Sequence, residues 1–154
     1  MGMAVDETTG NIIFPIVIAQ NRFAQSDLNI SKTLISLENY SPGPIVVHQA
    51  SRKMFWIVND YSNPRIEVAE LNGNNHKVFL SLNTKAISLA IAFQNNSFDK
   101  ICWVEVKNDM QGFQFLMASS TFGIIKCLGI HNQTSQPTIM HKISQEVNDS
   151  YEFR

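Results

Sequence analysis

The side chains that stand out as able to do chemistry are four histidines, six of the thirteen carboxylates and two cysteines. A catalytic or metal site needs a nucleophile, base or ligand set held together. His48, His76, His131 and His141 lie in unrelated turn or strand contexts, without His-X-His or His-X-X-X-His spacing. They read as surface or turn histidines rather than metal ligands. Asp6, Glu67, Glu70, Asp99, Glu105 and Asp109 are the carboxylates from which a calcium site would have to be drawn. No loop alternates oxygen ligands as a dedicated calcium loop does, so solvated strand faces and turns are the expectation. Cys102 and Cys127 also lack metal-ligand spacing. Cys102 takes an aromatic's place in an apolar strand and reads as a buried free thiol, with a bond to Cys127 as the alternative. No catalytic residue, cofactor-binding residue or metal ligand is assigned, and the expectation is a protein that is not an enzyme.

Composition narrows the class. The chain has 154 residues, 44% hydrophobic and 16% charged, with 12 Lys plus Arg against 13 Asp plus Glu. That is ordinary for a folded domain, and no run of like charge suggests nucleic acid or a polybasic membrane contact. No apolar stretch reaches the ~18 residues of a spanning helix, and "MGMAVDETTG" has neither the basic nor the apolar region of a signal peptide. Asn29, Asn39, Asn95, Asn132 and Asn148 each begin an Asn-X-Ser/Thr glycosylation triplet. Five is more than the chain's fifteen Asn and twenty-one Ser plus Thr would place by chance, which favours an extracellular or lumenal setting.

The elements that position these residues read as strands. No long window keeps apolar residues at helical spacing, whereas short β-branched and aromatic runs recur between Asn, Gly, Ser and Pro clusters. In the middle of the chain the predicted strands are Ile45 to His48, Lys53 to Asn59, Arg65 to Leu71 and Lys77 to Leu82. Ile66, Val68 and Leu71 against Arg65, Glu67 and Glu70 predict a third strand with one face in a core and one in water. Asn72-Gly73 predicts a tight hairpin, since both residues tolerate positive φ.

The pattern repeats. "GMAVDETTGNIIF" at 2 to 14, "PIVVHQASRKMFW" at 44 to 56 and "SLAIAFQNNSFDKICW" at 88 to 103 each give a strand, a polar turn and a strand ending on an aromatic. Phe14, Trp56 and Trp103 mark the same point in each copy, 42 and 47 residues apart. Four strands in ~40 to 50 residues is the period of a propeller blade. The units fall at 1–43, 44–83 and 84–144, with a tail at 145–154. The first is degenerate, and the last carries the insertion "KNDMQGFQFLMASSTF".

On these residues the chain resembles the low-density lipoprotein receptor class B, or YWTD, repeats. "FWIV" at 55–58 stands where that family has Tyr-Trp-Thr-Asp, and "NPRIEVAELNGNNHKVFL" resembles its usual continuation. "KICWVE" matches the signature one unit later. Phe55, Trp56, Asn72, Gly73 and Trp103 carry the likeness. The signature Asp is replaced by Val58 in the middle unit, becomes Glu105 in the last, and is absent from the first, where Pro15 is expected to interrupt the strand.

The resemblance implies an all-β fold of about three four-stranded blades from a six-bladed propeller, and a role in binding proteins rather than transforming substrates. It implies the extracellular part of a receptor, with a protein ligand or neighbouring receptor module as partner, no nucleic acid and no membrane insertion. Propellers close with about four to eight blades, so 154 residues read as a piece of a longer receptor or a truncated relative. Unpaired blade faces would then favour self-association. The alternatives are a propeller segment of a Ros/Sevenless-type receptor kinase and a calcium-dependent lactonase or esterase propeller.

Overall fold

The computed structural model describes residues 2–16, 21–26, 31–37, 40, 42–93, 99–108, 121–131 and 136–144. Its described strands form three four-stranded antiparallel meanders. The first sheet holds β1 (Ala4–Asp6), β2 (Asn11–Ile16), β3 (Asn21–Ser26) and β4 (Ser31–Leu37). The second holds β5 (Pro42–His48), β6 (Lys53–Val58), β7 (Arg65–Glu70) and β8 (Lys77–Ser81). The third holds β9 (Ala86–Ala92), β10 (Lys100–Asn108), β11 (Thr121–Gly129) and β12 (Thr138–Ser144).

Between sheets, the closest backbone approach runs through the first strands, β1 beside β5 and β5 beside β9. The sheets therefore stack side by side about a common inner edge, the arrangement of propeller blades. Trp56 faces the first sheet, in a core with Ile13, Ile35, Leu37, Met54, Val58 and Ala69. Trp103 faces the second, in a core with Phe55, Ile57, Ile66, Val68 and Leu128. Both indoles are 1% exposed or less, so the aromatics at repeat spacing are packing anchors.

The middle sheet lies between two neighbours, and this corrects the amphipathic reading of its third strand. Arg65 and Glu67 are as buried as Ile66 and Val68, because the face predicted to meet water meets the first sheet instead. The Asn-Gly turn also differs. The Gly73 amide donates to Glu70 O at 2.9 Å, and the Asn72 carboxamide accepts from Asn74 N at 2.8 Å. Gly73 and Asn75 take positive φ while Asn72 does not, so the connection is a longer loop rather than a two-residue hairpin. Its anchor is buried Leu71, whose amide donates to Arg52 O at 3.1 Å and draws the chain inward before it can turn.

Pro15 does not interrupt its strand. β2 continues to Ile16, pairing Pro15 with Phe23. On the other side, β1 ends its register at Ala4 and Ile13, so no ladder bond is asked of the missing Pro15 amide.

Candidate functional site

The turns between β1 and β2, β5 and β6, and β7 and β8 meet at one end of the molecule, tied by side chains. At the first, Asp6 O accepts from Thr9 N and Gly10 N, and the Asp6 carboxylate accepts from Thr8 N and Thr9 Oγ1. The same carboxylate takes Arg52 Nη1 at 2.5 Å, joining the first sheet to the second. That bond from Arg52 outweighs burial and, with Thr9 and Thr8, holds the Asp6 carboxyl below the usual carboxylate range. Gln49 Nε2 reaches Val5 O across the same seam at 2.9 Å.

The second and third sheets are joined at this end by His48. It is fully buried, contrary to the surface position expected, because β5 carries it between the two sheets. Its Nε2 lies 2.8 Å from Asp99 Oδ2 and its Nδ1 2.6 Å from Ser51 Oγ. With the proton on Nε2 the ring donates to the carboxylate, and Nδ1 can then accept from the Ser51 hydroxyl. Phe93 stacks on the imidazole at 6.4 Å, and His131 meets it edge-on at 6.1 Å.

A second polar hub is buried between the first two sheets. Glu67 Oε1 accepts from Arg65 Nε at 2.6 Å, while its Oε2 accepts from Tyr40 OH at 3.0 Å and lies 2.8 Å from His76 Nε2. The Arg65 guanidinium lies 4.6 Å over the Tyr40 ring. Burial of the Tyr40 phenol, added to the negative charge of Glu67, pushes it up to about 12. Burial works against the Arg65 charge, yet its bond and attraction to Glu67 leave it held above the usual value. A third hub is Glu105, which accepts from Trp103 Nε1 at 2.9 Å, Lys126 Nζ at 2.8 Å and Thr84 Oγ1 at 3.3 Å.

Each of the candidate carboxylates within the described residues is thus engaged separately: Asp6 by Arg52, Glu67 by Arg65, Glu70 by Asn75, Asp99 by His48, Glu105 by Lys126. No three His, Cys, Asp or Glu side chains come together as a metal site among the described residues. Asp109 and the acceptors Asn29, Asn39, Asn95, Asn132 and Asn148 lie outside the described residues, as does the side chain of His141. Where the YWTD signature would carry Asp, Val58 is buried in apolar surroundings, and the next residue takes up the polar work. Asn59 Nδ2 donates to Ala86 O at 2.7 Å and Asn59 Oδ1 accepts from Ala86 N at 3.0 Å, clamping the start of the third sheet.

The free-thiol reading of Cys102 is overturned. Cys102 and Cys127 are direct partners across β10 and β11 and form a disulfide. The insertion between those strands hid this register in the sequence, since it separates partners that the shorter second unit keeps close.

At the turn end, a cleft of about 160 Å³ opens between the second and third sheets. Its floor is Phe55, Val68, Phe79 and Ile130, and its rim Lys53, Lys77 and Glu70. A shallower hollow of about 320 Å³ adjoins it over Ser51, Arg52 and Asn72. On this rim the sequence pointed to Glu70, as one of the candidate carboxylates, and to Lys53, as a strand end that could join a binding face; the floor was legible only as core.

No protein-family model matches the chain. Among solved structures it is similar to a chain of the nidogen/laminin complex, with a TM-score of 0.68 and 16% identity over 92% of this chain and 48% of that one. The fold is that of β-propeller blades. Weaker likeness extends to an acylaminoacyl peptidase in complex with Z-Gly-Gly-Phe-chloromethyl ketone and to the Pyrococcus horikoshii acylaminoacyl peptidase, with TM-scores of 0.52 and 0.51. Both are 12% identical over 90% of this chain and 23% of theirs. In sequence, the protein cueball of Drosophila persimilis and that of Drosophila pseudoobscura pseudoobscura are 23% identical over 143 residues. The chain spans about a fifth of those relatives, 21% of their length against 88% of its own.

Proposed function

We propose that the chain is a non-enzymatic protein-interaction unit of a receptor related to the low-density lipoprotein receptor class B family, working in its extracellular part. The cleft at the turn end of the middle blade is the observation that carries this. An apolar floor ringed by Lys53, Lys77 and Glu70 suits one apolar anchor of a protein ligand with charges around it. At about 160 Å³ it is smaller than the ~300 to 1,000 Å³ usual for a small-molecule site. The disulfide and the five glycosylation triplets support an oxidising, extracellular setting. A structure of nidogen with laminin as the neighbour is in keeping with a propeller used for protein contact.

The test is a panel of purified extracellular domains probed with the tagged chain. A saturable binder is expected, weakened by roughly tenfold or more in a Lys53→Glu, Lys77→Glu double variant, as loss of an interface anchor requires. Full binding by that variant would contradict the assignment.

One observation favours a hydrolytic second reading. Ser51, His48 and Asp99 are linked as nucleophile, base and orienting carboxylate would be. Against it, the imidazole is fully enclosed, which suits a clamp between sheets. A fluorophosphonate probe is expected to leave Ser51 unlabelled; stoichiometric labelling, abolished by Ser51→Ala, would favour the enzyme.

A further inference from the structure

Strand register lines up the two seams between sheets row by row. In the second sheet Ile45, Trp56, Glu67 and Val78 are partners across β5 to β8. In the third, Leu89, Trp103, Lys126 and Ile139 are partners across β9 to β12. The outer ladder slips at the same place in both, just before Glu67 in one and just before Lys126 in the other. Equal offsets from these rows make Tyr40 equivalent to Thr84, Val58 to Glu105 and His76 to Pro137.

The space over the tryptophan is filled differently in the two seams. Between the first and second sheets the His76 ring lies 5.1 Å from that of Trp56, and the Tyr40 phenol reaches Glu67 beneath the Arg65 guanidinium. Between the second and third sheets both rings are replaced, one by Pro137 and one by Thr84, whose hydroxyl meets Glu105 at 3.3 Å. Where the rings would stand is a hollow of about 310 Å³. Leu80 and Leu82 wall it on the second sheet's side, and Trp103, Glu105, Lys126 and Ile139 on the third's. It lies between two sheets that the chain itself supplies, and it is separate from the cleft at the turn end.

The walls define what fits. Trp103, Leu80 and Leu82 offer apolar surface to a ring. Buried Glu105 takes three donors, from Trp103, Lys126 and Thr84, of the about four that a carboxylate accepts. Lys126 gives that carboxylate one of its three ammonium hydrogens. A bare anion would be repelled by Glu105 and a bare cation by Lys126, whereas a hydroxyl accepts from an ammonium and donates to a carboxylate at once. The volume is about twice the ~150 Å³ that holds benzene in an engineered apolar cavity, and stands at the lower bound of the ~300 to 1,000 Å³ of small-molecule sites. That is room for one ring with a polar substituent.

We propose that this hollow is a binding site for a phenol, its ring against Trp103 and its hydroxyl between Lys126 and Glu105, as Tyr40 presents its own to Glu67 in the neighbouring seam. Such a group comes either as a free small molecule or as a tyrosine side chain of a partner protein.

The test is a magnetic resonance titration of the whole 154-residue chain with 4-methylphenol, read at the two assigned indole N–H signals. Trp103 should shift saturably, with a Kd on the order of 1 mM for so small a ligand. Trp56, against which His76 already packs, should stay unmoved. Toluene should bind at least about tenfold more weakly, for want of hydrogen bonds to charged groups. Lys126→Met keeps the length of the side chain and should weaken 4-methylphenol by about tenfold. Thr84→Tyr puts into this seam the ring that Tyr40 puts into the other and should abolish binding, with an unmoved Trp56 signal showing that the variant is folded. The peptide Gly-Ser-Tyr-Ser-Gly separates the two sources: affinity at or above that of 4-methylphenol assigns the site to a protein's tyrosine, and weaker binding assigns it to a free phenol. These results would overturn the proposal: no shift at Trp103; equal shifts at both indoles; toluene binding as tightly as 4-methylphenol; full binding to Thr84→Tyr; or binding only after deletion of residues 109–120, which makes that segment the occupant.

Discussion

At the scale of residues, three carboxylates organise the polar interior. Glu67 is buried with Arg65, Tyr40 and His76 around it, so its charge is compensated inside the seam rather than in water. Tyr40, pushed up to about 12, holds its proton more tightly folded than unfolded. The stability this lends is complete below the ordinary tyrosine value of about 10 and is lost as the pH rises towards the folded value. An alkaline titration followed by phenolate absorbance should show a late-ionising component that Tyr40→Phe removes. Asp6 has the opposite sign. Its lowered pKa, set first by Arg52, lends stability that is present above the usual aspartate value of about 3.9 and is lost as pH falls through the lower folded value. Arg52→Ala should move the acid unfolding midpoint to higher pH, read by tryptophan fluorescence; an unchanged midpoint would count against the Asp6 contact. Arg65 and Glu67 are only two residues apart, but the partnerships that cross between sheets are not local enough to read from sequence. Asp6 and Arg52 are 46 residues apart and His48 and Asp99 are 51 apart, and it is the stacking of sheets that brings them together.

At the scale of elements, the last three strands of the middle unit were legible to within one residue, because β-branched runs between Asn, Gly and Pro clusters leave few alternatives, while β5 begins at Pro42, three residues before the predicted start. The turns were less so. Asn-Gly chemistry pointed to a two-residue hairpin, but burial of Leu71 and the Arg52 contact are tertiary facts that override it. Gly73 remains the demanding position: its φ is 89° and an added methyl would press on Leu34 O of β4. Gly73→Ala should cost about 1–3 kcal/mol in urea unfolding, the usual size of such backbone strain. The cross-strand disulfide closes a 25-residue separation. Its reduction should cost about 2–4 kcal/mol by the chain-entropy account, and should loosen the third sheet first. A reduced chain as stable as the oxidised one would argue against that role.

At the scale of the whole molecule, the repeat read from Phe14, Trp56 and Trp103 foretold sheets that stack, and the structure adds the sense of the stack. What the sequence could not show is that a polar alternation in the middle unit is no guide to water. Arg65 and Glu67 alternate with Ile66 and Val68, yet all four are buried because a sheet lies on each side. Had three equivalent units been taken together, the central one would have been expected to bury both faces. The central claim, that these residues form side-by-side blades with the middle one covered on both sides, makes a direct prediction for hydrogen exchange. Mass-spectrometric exchange of the folded chain should find the slowest amides in β6 and β7, with faster exchange in the outermost strands β4 and β12. Equal exchange across the three sheets, or slowest exchange in β4 or β12, would contradict the account.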